Sequence, residues 1–127
     1  MTTINFATCT AAELRAHNLR HVVETARPEV IGAADARIRV AVETLGWQSA
    51  AYPRAPPLYI DVCDVKRSDV LLGAPDSEFD KPVTSSEYVC GIPAYVVDRL
   101  ESRGFHTCVA RDGKQRVIRV SMVPLCQ

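Results

Sequence analysis

Ile92-Pro93-Ala94-Tyr95-Val96-Val97-Asp98-Arg99-Leu100-Glu101-Ser102-Arg103-Gly104-Phe105, followed by the run from His106 to Met122, is the stretch whose reading decides the fold. Pro93 suits the start of a helix. Ile92, Val96, Val97 and Leu100 then form an apolar stripe at helical spacing. Gly104 stands where a left-handed C′ glycine ends such a helix, and Phe105 takes the position that touches Leu100 in a Schellman cap. The alternating runs Phe105 to Arg111 and Gln115 to Met122 flank Asp112-Gly113. Asp-Gly between alternating strands predicts a β-hairpin. Val117, Ile118, Val120 and Met122 supply its apolar content.

Upstream, Leu58-Tyr59-Ile60-Asp61-Val62-Cys63 alternates as a strand does, with Leu58, Ile60 and Val62 on one face. Pro53, Pro56 and Pro57 interrupt the chain just before it. Asp69 to Ser86 reads as loop, broken by Gly73, Pro75 and Pro82. Further back lie two helical patterns. Thr10 and Glu13 form a capping-box signature ahead of Leu14, Leu19, Val22, Val23 and Ala26. Pro28 ends that helix and opens the next, where Ile31, Ala34, Ile38, Ala41, Val42 and Leu45 recur at i, i+3, i+4. Gly46 is expected to cap the second helix, with Trp47 packed behind it.

These elements predict an α+β fold: two N-terminal helices, one strand, a third helix and a C-terminal β-hairpin, the strands forming a small sheet with helices on one face. One domain is expected over residues 1–127, with an irregular acidic loop near 64–88. The length suits one domain. At 47% apolar and 24% charged, the composition is that of a globular chain, not a disordered one.

Net charge is zero, so nothing global draws the chain to nucleic acid or anionic membrane. The charge is uneven, however. Between Asp61 and Glu87, Lys66, Arg67 and Lys81 stand against Asp61, Asp64, Asp69, Asp76, Glu78, Asp80 and Glu87. Beyond Phe105, Arg111, Lys114, Arg116 and Arg119 stand against Asp112 alone. No stretch carries the roughly 18 apolar residues of a membrane span, and Met1-Thr2-Thr3-Ile4-Asn5 lacks the pattern of a secretory signal. The five cysteines, Cys9, Cys63, Cys90, Cys108 and Cys126, are odd in number and scattered. Reduced thiols in an intracellular compartment are the expectation, without a zinc site.

Four constellations could carry chemistry. A helix leading into a hairpin with Arg111, Lys114, Arg116 and Arg119 resembles a nucleic-acid-binding wing. The preceding helix opposes Arg99 and Arg103 with Asp98 and Glu101, and an acidic loop intervenes, so nucleic acid is the alternative partner. His106 and Cys108 share a strand face, but no motif supplies the orienting group or oxyanion pocket a nucleophile needs. Asp61 and Cys63 read as one face with Asp64 on the other, so they do not converge. His17 and His21 have metal-ligand spacing on a helix, with no third ligand evident. The expectation is a non-enzyme with no catalytic residue, metal, cofactor or small-molecule substrate. The irregular middle, from Ala50 to Pro57 and from Asp69 to Ser86, is the expected contact region, with Tyr52, Asp76, Glu78, Phe79 and Asp80 as partner-binding residues.

The segments Ile92-Pro93, Val97 to Phe105 and Val117-Ile118-Arg119-Val120-Ser121 together resemble a helix–glycine–strand–hairpin module of small proteins of phages and large DNA viruses. The run Ala41-Val42-Glu43-Thr44-Leu45-Gly46 fits that module's upstream helix. The Val- and Ala-rich chain, with free cysteines and no enzyme motif, is similar to small virion proteins of iridovirus-like viruses. The resemblance implies a structural protein, a minor capsid or virion-associated component that bridges larger capsid subunits. It implies a place in the virion, and in the host cytoplasm during assembly.

Overall fold

The computed structural model describes residues 4–51, 59–71 and 81–124. Helix α1 spans Ala11–Thr25 and α2 spans Pro28–Ala51; α3 is Gly91–Glu101. Strands β1 (Tyr59–Val65), β2 (Val83–Ser85), β3 (His106–Asp112) and β4 (Gln115–Ser121) form one antiparallel sheet in the order β1-β4-β3-β2. The α+β class, the order of elements and the terminal hairpin are as the sequence predicts. The sheet has a fourth strand the sequence reading placed in loop: β2, which pairs Val83, Thr84 and Ser85 with Ala110, Val109 and Cys108.

The boundaries follow from local chemistry. The Glu13 amide donates to Thr10 Oγ1 at 3.1 Å, which caps α1. The Glu13 carboxylate accepts from the Thr10 hydroxyl at 3.3 Å, a side-chain contact in place of the Thr10 amide bond of the expected capping box. At the other end of α3, Gly104 has φ +91°, the Phe105 amide donates to Leu100 O (3.2 Å) and the Gly104 amide to Glu101 O (3.0 Å). That is the Schellman pattern.

Three expectations need correction. Gly46 does not end α2; the helix continues to Ala51, and Trp47 points outward, 70% exposed. The hairpin turn is Gly113-Lys114, flanked by the Asp112–Gln115 pair, and only Gly113 has positive φ, at +64°. A glycine in the first central position is the II′ preference, not the Asp-Gly I′ form. In β1 a bulge between Asp61 and Cys63 breaks the alternation. Asp61 and Asp64, opposite Arg119 and Val117, therefore share a face, while Cys63 turns toward the helices. Leu58 lies outside the described residues.

One core joins these elements. Ala34, Ile38 and Ala41 of α2 and Tyr95, Val96, Val97 and Leu100 of α3 pack on Val62, Val65, Val109, Ile118 and Val120. Helix α1 contributes only half-buried Leu19 and Val22, and none of its residues is fully buried. On the opposite sheet face Cys108, Ala110, Val117 and Ser121 are also buried. The ends of the acidic segment are pinned: Val70 and Val89 form an antiparallel bridge, and the Leu71 amide donates to Tyr88 O at 2.9 Å.

Candidate functional site

Of the residues the sequence reading nominates for partner contact, Tyr52, Asp76, Glu78, Phe79 and Asp80 all lie outside the described residues. The hairpin cations are described, and they do not form one surface. Arg111 and Arg116 pair across the strands on the helix side of the sheet, Lys114 sits in the turn, and Arg119 projects from the other face. Arg119 Nε donates to Asp61 Oδ1 at 2.8 Å, and its guanidinium lies 3.9 Å from the Tyr59 ring centre. The bond to Asp61 raises the Arg119 pKa. Strands β3 and β4 are moreover the centre of the sheet, where a wing would be peripheral.

Among the described residues, no three His, Cys, Asp or Glu side chains gather as a metal site. His17 stacks edge-on against Phe6, centroids 5.4 Å apart. Among the described residues, Cys9, Cys63, Cys90 and Cys108 form no disulfide with one another, and Cys126 lies outside the described residues. Burial pushes the Cys63 thiol up to about 11, against the opposing pull of Arg37. Such a thiol is a poor nucleophile at neutral pH. No helix among the described residues is long and apolar enough to cross a membrane.

Three surfaces remain. The first is a groove of about 770 Å³ between α1 and α3, walled by Leu19, Val22, Val89, Ala94 and Val97. At its edge Thr107 Oγ1 lies 2.8 Å from Glu101 Oε1 and 2.9 Å from Ser86 Oγ. This chain of polar groups ties the end of α3 and the start of β3 to the Ser86 turn.

The second is a cleft of about 460 Å³ between α2 and α3, lined by Asp35, Ile38, Arg39, Val42, Glu43, Arg99 and Arg103. Tyr95, only 3% exposed, donates its hydroxyl to Asp35 Oδ1 at 2.7 Å and accepts from Arg99 Nε at 3.2 Å. Burial raises the Tyr95 pKa, and the bond to Asp35 raises it further. The bond to Tyr95 in turn raises that of Arg99. None of this was read from the sequence, because Asp35 and Tyr95 are sixty residues apart.

The third is the outer side of α2. Ala33, Ala36, Val40 and Trp47 fall at i, i+3, i+7 and i+14, all exposed, opposite the buried row Ala34, Ile38, Ala41 and Leu45. Val40 is 56% and Trp47 70% exposed. Exposed apolar side chains along one side of a helix suit contact with another surface.

A scan against protein-family models, a search of curated proteins and a search of solved structures each return no match.

Proposed function

We propose that the protein is a non-enzymatic contact domain that bridges larger protein subunits, as a minor capsid or virion-associated component. The observation that carries this reading is the exposed row Ala33, Ala36, Val40 and Trp47 on α2. Aromatic residues are favoured anchors at interfaces, and an aromatic this exposed contributes nothing to the domain's own core. Trp47 lies one helical turn before Ala51, where α2 ends and the proline-rich stretch containing Tyr52 begins. The exposed anchor thus adjoins the contact segment that the sequence nominates. The virion setting rests on the resemblance of the Ile92–Ser121 segments.

Photo-crosslinking from a benzophenone side chain placed at Trp47, in the protein's native source, tests the reading. Crosslinks to one abundant, larger subunit are expected from position 47, and few from Arg111 at the hairpin. Crosslinks from position 111 to nucleic acid, with none to protein from position 47, would replace this reading with the nucleic-acid one.

A further inference from the structure

We propose that the cleft between α2 and α3 is an anion site for a phosphomonoester, gripped by Arg39, Arg99 and Arg103. Arg39, Arg99 and Arg103 line one cleft, and among the described residues none of them makes an ion pair. They face two carboxylates there, and Asp35 is already occupied by the Tyr95 hydroxyl.

Two of the three are held in place. Arg99 spends its Nε–H on Tyr95 and rests 5.3 Å from that ring's centre. Its remaining four N–H groups stay available. Arg103, one turn further along, rests 5.7 Å from the Phe105 ring centre. A side chain braced before binding loses less entropy on docking. The carbonyl end of α3 also attracts cations, which accounts for Arg99 and Arg103. It does not account for Arg39, in the middle of α2, nor for the part-buried Tyr95–Asp35 hydrogen bond beside Arg99.

The chemistry of the ligand follows from number and shape. A carboxylate is planar and is satisfied by one bidentate arginine fork. Three forks, from α2, α3 and the turn that caps α3, suit a tetrahedral anion with three free oxygens. The floor of the cleft is apolar, made by buried Ile38 and half-buried Val42, which suits the carbon skeleton of an ester. The volume lies within the usual range for small-molecule pockets, about 300–1,000 Å³. The inference does not depend on the contact reading, because none of the three arginines belongs to the Val40–Trp47 row.

The test follows arginine Nε–Hε signals of the whole protein by NMR during titration with glycerol 3-phosphate and, separately, inorganic phosphate, at constant ionic strength set with chloride. Saturable one-to-one shifts confined to Arg39, Arg99 and Arg103 are expected with both. Tighter binding of the ester assigns a contribution to the apolar floor; equal binding assigns the site to the phosphate group alone. Arg39→Gln and Arg103→Gln should each weaken binding about tenfold or more, since each removes charge-assisted hydrogen bonds. Tyr95→Phe should weaken it through Arg99, and the Arg99 Nε–Hε signal should move even without ligand. Shifts that fail to saturate, or that spread equally to Arg15 and Arg111, overturn the proposal. So does undiminished binding in both glutamine variants.

Discussion

Arg119 and Asp61 are joined by a 2.8 Å hydrogen bond that crosses from β4 to β1, with the guanidinium lying on the Tyr59 ring. The bond ties β1 to β4 beside the β1 bulge. Its side chains are 18% and 36% exposed, so water screens much of the attraction. A double-mutant cycle with Asp61→Asn and Arg119→Gln, measured by urea unfolding, is expected to give a coupling of about 0.5–1 kcal/mol. The coupling should shrink at about 1 M salt, where the Debye length is roughly 3 Å. A salt-independent coupling above about 2 kcal/mol would show that the pair is drier than its exposure indicates.

Two glycines predict changes of opposite sign. Gly104 has φ +91° and no atom within 4 Å of where a Cβ would stand. Gly104→Val is therefore expected to cost about 1–3 kcal/mol through backbone strain, not through a clash. Gly46 sits inside α2 without positive φ, and its Cβ position is equally open. Gly46→Ala is expected to stabilise by about 0.5–1 kcal/mol. Thermal melts of the two variants check both signs; a destabilising Gly46→Ala would restore the helix end at Leu45.

The Cys63 thiol predicts a stability change at high pH. Its pKa rises from 9.0 to about 11 on folding, chiefly by burial. The folded state prefers the protonated thiol, so the contribution is fully present below pH 9 and is lost as pH climbs through 11. The size is on the order of 2 kcal/mol. Urea unfolding at pH 8 and pH 10.5 should show a larger loss for the wild type than for Cys63→Ala, in which tyrosine ionisation is common to both. Equal losses would mean that the thiol ionises freely in the folded protein.

The sequence makes some of this legible for definite reasons. The α3–hairpin unit rests on local signals: an apolar stripe, a glycine that only a left-handed position requires, and a following apolar residue. Strand β2 has no such signal, since Val83-Thr84-Ser85 follows Pro82 and turns only Thr84 inward, too short to show a period. Gly46 carries the look of a helix end, yet half-buried Gln48 and Ser49 continue the packed side of α2 beyond it. The bulge that gathers Asp61 and Asp64 on one face is equally silent in the residue pattern. At the α2–α3 cleft, the Arg99–Arg103 spacing is visible along the end of α3 and its capping turn. The convergence of Arg39 and Asp35 on it depends on how two distant helices meet. The outward position of Trp47 likewise follows from the tertiary placement of α2.

The sheet order sets a schedule for synthesis. Its two central strands are the last described elements to be made, while α1 and α2 come first. For several seconds, at roughly 5–20 residues per second, the apolar side of α2 has left the ribosome with no sheet to lie on. The nascent chain must either hold its helices against one another or borrow cover from a chaperone or a neighbour. A chain cut after Glu101 is accordingly expected to retain helical circular dichroism but to melt without a cooperative transition, whereas adding residues through Ser121 restores one. The outward face of α2, with Val40 and Trp47, stays bare even then, so on the proposed contact reading its partner is recruited by a finished domain and not by a folding one.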